Sequence, residues 1–145
     1  MRGNLSLLNK TRANTRGIPF LKIKEKVLGK KYVLSVALLG SIEMRRAMRY
    51  KKPRQVGITT RASKKDKVSN VLAFPLSKHS GEILLCPAAS KPYSLTYLFI
   101  HGCLHLKGLS HGGTMESAER RLLEDLPSFT HAKNSNRNRR RLVSR

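Results

Sequence analysis

At 145 residues the chain suits one domain, and 39% apolar residues exclude wholesale disorder. Thirty Lys and Arg against eight Asp and Glu give a formal charge of +22; self-repulsion at that charge opposes folding, so a polyanionic partner is expected. The longest apolar stretches fall far short of the roughly 20 residues that cross a membrane, and two cysteines are too few to staple a secreted fold.

A short strand is expected at 4–8, then a loop over 9–17. Apolar Phe20, Leu21, Ile23, Val27 and Leu28, with Pro19 in the first turn and Gly29 past the end, predict a helix over 18–28. Val and Leu over 32–39, ending at Gly40, predict a buried strand. Ser41 then caps a helix carrying Ile42, Met44, Ala47 and Met48, broken before Pro53.

Residues 45–67 hold ten basic side chains and one acidic one, Asp66. Nothing in the run neutralises it, so Arg45, Arg46, Arg49, Lys64 and Lys65 are expected to bind RNA backbone. Strands are predicted at 71–74 and 83–86, joined by a loop over 75–82 whose turn is marked by Ser80–Gly81. His79 falls in that loop and reads as an exposed bystander.

The strongest helix runs from 94 to 107 and is closed by Gly108. A last helix, 115–126, sets Met115, Ala118, Leu122 and Leu126 beside Glu116, Glu119, Arg120 and Glu124, and Pro127 stops it. Residues 130–145 carry six basic and no acidic side chains, predicting a disordered basic tail after a domain over 1–129. The expected fold is a single small α+β domain: a mixed sheet of about four strands packed with helices, the 94–107 helix central. Residues 1–24, with six basic and no acidic side chains, share the bias of an organellar transit peptide. Their apolar residues read as part of the fold, so a cytoplasmic setting is expected.

Three histidines carry the chemistry. His101 and His105, four apart on a helix, share a face and can hold one ion between them. Gly108 permits a chain reversal, and His111 can then fold back to the same point. Three neutral imidazoles with one open position are the arrangement of a catalytic Zn2+, one per chain, at which water reaches a pKa of about 7. Zinc peptidases place Glu directly after the first His as general base. Here that residue is Gly102, and no carboxylate lies between 94 and 107. A metal-activated water amid cations suits a phosphodiester better. Cys103 points away from the His101 face and reads as a small core residue, and Cys86 as packed at a strand end.

The run HGCLHLKGLSH at 101–111 resembles the HGxLHLxGxDH signature of the YbeY family of metal-dependent endoribonucleases. KDKVSNVLAFP at 65–75 resembles that family's KDKPTNVLSFP segment, and Gly81-Glu82-Ile83-Leu84 its following strand. The resemblance implies an α+β fold, a zinc held by His101, His105 and His111, and a single-stranded RNA substrate at the 3′ end of small-subunit (16S) ribosomal RNA. The implied partners are therefore ribosomal RNA and the small ribosomal subunit, without a membrane.

Two positions depart from the family pattern. Ser110 stands where the family has Asp, which could orient a ligand imidazole or water from the second layer. The family's arginine, seven residues before the Asn, falls on Ser63, with Arg61 the nearest arginine. Either the loop has a two-residue insertion and Arg61 is the catalytic arginine, or the position is vacant; Arg61 is favoured, because arginine alone offers a fixed fork for phosphate. Asn70 has two readings, orienting a substrate group or opening the strand. The alternative to an enzyme is a basic, ribosome-binding assembly factor in which a structural metal merely ties helix to loop.

Overall fold

The computed structural model describes residues 4–50, 55–56, 68–110 and 112–126. In chain order these form β1 (Leu5–Asn9), α1 (Phe20–Val27), β2 (Val33–Leu38), α2 (Ser41–Tyr50) and β3 (Gln55–Val56). There follow β4 (Val71–Ser77), β5 (Ser80–Leu85), a 3-10 turn at Pro87–Ala89, α3 (Leu95–Lys107) and α4 (Gly113–Asp125). The expected α+β domain is what forms, although the sheet has five strands where about four were expected, in the order β1-β2-β5-β4-β3. β1, β2 and β5 run parallel, whereas β5, β4 and β3 are antiparallel neighbours. The extra strand is the two-residue β3, inside the basic run over 45–67, where no strand is expected.

Alternation along the strands sorts the side chains into two layers. Leu34, Val36, Leu38, Val71, Ala73, Ile83 and Leu85 face a core shared with Phe20, Ile23, Phe99, Ile100 and Met115. Leu72, Phe74, Leu84 and Cys86 face a smaller cluster with Met44. Helices α1, α3 and α4 therefore cover one face of the sheet and α2 the other. α3 is the central helix, packed on α1, α4, β4 and β5.

The 75–82 loop is a correction. β4 and β5 extend into it as a hairpin, with Pro75 opposite Gly81, Ser77 opposite Ser80 and only Lys78 and His79 between them. Pro75 and the Ser80–Gly81 pair both read as breakers, but a register shift between Pro75 and Ser77 absorbs the proline. Gly81 serves close approach instead of a turn. A Cβ there would stand 2.5 Å from Tyr32 Oη and 3.0 Å from Leu106 Cδ2.

Local signals place the helices well. Pro19 stands before α1, and Gly29 at φ +99° follows it, its N–H donating to the Lys24 and Glu25 carbonyls. Lys24 is fully buried and donates from Nζ to the Lys30 carbonyl at 2.9 Å; burial pulls its ammonium below the usual lysine range. Among the described residues, no helix is long and apolar enough to cross a membrane.

Candidate metal centre

α3 is an apolar rod with one polar seam. Its residues from Leu98 to His105 are all buried. Ser94 caps it by accepting the Tyr97 N–H at 3.1 Å, and Gly108 ends it at φ +112°. Side chains four apart share a helix face, so Tyr97, His101 and His105 line up, with Tyr93 just before the cap. Their rings form a ladder with centroids 5.2, 6.1 and 4.6 Å apart, and the two imidazoles meet edge-on at 87°.

The histidine pair converges. His101 and His105 Nε2 lie 3.1 Å apart on rings only 2% and 4% exposed. His101 Nδ1 meets Glu119 Oε2 at 2.6 Å, and His105 Nδ1 meets the Leu109 carbonyl at 3.1 Å. Those oxygens are acceptors, so in neutral rings each Nδ1 carries the proton and each Nε2 a lone pair. Two such lone pairs at that distance repel unless a shared proton or a cation lies between them, and a cation turns repulsion into coordination. Donors 2.0–2.1 Å from a tetrahedral zinc stand about 3.3 Å apart. The pair fits half of such a site, with both outer nitrogens already held as metal-binding imidazoles are.

The reversal expected at Gly108 is present. The chain turns back so that Leu109 N–H donates to the Leu104 carbonyl at 3.0 Å while its own carbonyl reaches His105. Gly112, at φ +146°, then introduces α4, which carries Glu119 to His101. Both segments that flank position 111 in sequence thus return to the pair. His111 itself lies outside the described residues, as do Arg61, Lys64, Lys65 and the 130–145 tail. Among the described residues no group of three His, Cys, Asp or Glu is placed to hold a metal ion.

Arg46 and Arg49 are exposed and Arg45 half-buried on α2, across the sheet from the histidines. Asn70 is buried before β4; its carbonyl accepts the Cys86 N–H at 3.0 Å. Its Oδ1 has no hydrogen-bond partner among the described residues. Ser110 and His79 are exposed. Cys86 and Cys103 are fully buried, one in each core cluster, and burial raises the Cys103 thiol far above its ordinary value.

Glu119 is the residue that sequence alone assigns to the charged side of its helix. It is 5% exposed and touches His101. A signal exists: position 119 is four after Met115 and three before Leu122, so it belongs to the apolar stripe. A carboxylate inside such a stripe needs a buried partner. Tyr97, four before His101, is the second residue that sequence reasoning misses, and its hydroxyl donates to Glu119 Oε1 at 2.9 Å. Burial, reinforced by Glu119, pushes that phenol well above its ordinary value, so it stays a donor.

No protein-family model matches the chain. Comparison with curated proteins finds it 39% identical over 59 residues to the Endoribonuclease YbeY of Rubrobacter xylanophilus, a match covering 38% of this chain. The match spans 43% of that relative's own length, so less than half of that protein is represented.

Proposed function

We propose that this chain is a zinc-dependent endoribonuclease that cuts single-stranded RNA during ribosomal RNA maturation, at the 3′ end of the 16S species, and in ribosome quality control. The observation that carries the reading is the 3.1 Å approach of two Nε2 atoms whose Nδ1 partners are both fixed by acceptors. The partial similarity to an endoribonuclease supports the choice of RNA. In this proposal His101, His105 and His111 hold the ion. Bound zinc supplies a Lewis acid that brings water near neutrality and polarises a phosphodiester. Arg61 stabilises charge on the phosphoryl oxygens, and Asn70 orients substrate. Arg45, Arg46, Arg49, Lys64 and Lys65 bind backbone phosphates without reading sequence.

The test is cleavage of a single-stranded ribosomal RNA fragment by zinc-loaded protein beside a His105→Ala control. Cutting by the wild type and none by the variant is expected; equal cutting by both would remove the metal from the chemistry. A second reading, an assembly factor with a structural metal, is favoured by Ser110 standing where the YbeY signature has Asp. Zinc retained with no cleavage by either protein selects it. For the enzyme, Ser110→Asp is expected to keep zinc and raise turnover, by up to about 10–100-fold for a restored second-layer partner. Single-turnover kinetics decide it, and an unchanged or lower rate refutes the attenuating role of Ser110.

A further inference from the structure

Glu119 crosses from α4 to α3 with both oxygens committed. Oε1 accepts the Tyr97 hydroxyl at 2.9 Å and Oε2 the His101 Nδ1 proton at 2.6 Å, in a region where Glu119 and His101 are almost fully buried. A carboxylate so engaged has no oxygen directed at substrate, which separates it from the general base of a peptidase. It acts on one ring. We infer that Tyr97 and Glu119 form a buried positioning relay that fixes the tautomer and aim of His101, so that its Nε2 lone pair is delivered to a cation shared with His105. The role toward a metal rests on the reading proposed above, whereas the tautomer does not.

Several observations converge on this. Tyr97, His101 and His105 are set at four-residue steps on one helix, so the relay enters from the side of the pair opposite the Leu109 carbonyl. The two imidazoles are therefore braced from opposite ends, one by a charged side chain and one by backbone. The bond to Glu119 is charge-assisted and short, hence the stronger brace. Tyr97 holds the carboxylate in turn: without its hydroxyl, a buried Oε1 loses its donor and the side chain is free to rotate.

The test uses the full chain as Glu119→Gln and Tyr97→Phe, both close to isosteric. Nitrogen-15 NMR of the metal-free protein reads the His101 tautomer, and competition with a chromophoric chelator reads zinc affinity. Wild-type His101 is expected to carry its proton on Nδ1, and Glu119→Gln to mix the two tautomers and weaken zinc by about 10–100-fold. Tyr97→Phe is expected to shift both in the same direction by less, with the melting transition still cooperative. An Nε2-protonated His101 in the wild type, or an unchanged tautomer in both variants, overturns the relay. If the wild type binds no zinc while the tautomer result holds, the relay stands and the metal reading falls.

Discussion

Raising salt from 50 to 200 mM is expected to weaken single-stranded RNA binding by about three-hundredfold to ten-thousandfold. The range follows from a slope of about −0.7 per neutralised phosphate on a single strand and roughly six to ten such phosphates. The charge of +22 supplies more than enough cations, and their placement decides how they act. Arg46 and Arg49 lie on the α2 layer, while Lys26, Lys107 and Arg121 line a cavity of about 210 Å³ on the histidine layer, beside Leu109. The cations are therefore divided between the two faces of the sheet, and only those of the histidine layer stand on the same face as the paired imidazoles. Fluorescence anisotropy with the His105→Ala protein measures the slope without cleavage. Charge reversal at Arg46 and Arg49 is expected to make it shallower by about 0.7 for each phosphate that is no longer neutralised. A nearly flat response would reject the electrostatic footprint, whatever the fate of the metal site.

The parts legible in the sequence are those governed by local rules. Pro19, Gly29, Ser94 and Gly108 each mark a helix end through dihedral or capping preferences that need no tertiary partner. The His101–His105 seam follows from helical geometry alone. Legibility ends where a long-range interaction decides the role of a residue. Pro75 and Gly81 look like loop residues until β4 pairs with β5 and Tyr32 closes over Gly81. Glu119 looks like a solvated charge until α4 lies against α3. In both places the residue breaks a local rule, and a partner distant in the chain supplies the reason. The separation of α2 from the histidine layer is likewise invisible, because composition records charge without recording the face of a sheet.

Removing the back of the histidine helix joins stability to the site. Phe99 is fully buried, and its ring meets Phe20 edge-on at 4.9 Å, fastening α3 to α1. Phe99→Ala deletes that ring pair and leaves a cavity, with an expected loss of about 3–5 kcal/mol. Domains of this size have only about 5–15 kcal/mol in total, so the urea midpoint should fall steeply. His101 is two residues further along the same helix, and under the proposed metal reading the pair must stay preorganised to receive an ion. A ligand that binds only the folded state adds about 2.7 kcal/mol at a hundredfold excess over its Kd. Zinc at that excess is therefore expected to restore more than half of a deficit of about 4 kcal/mol in Phe99→Ala, and almost nothing in Phe99→Ala combined with His105→Ala. Equal restoration in both would mean that the ion stabilises the fold from somewhere other than the paired imidazoles, and the seam on α3 would lose its claim to be the metal centre.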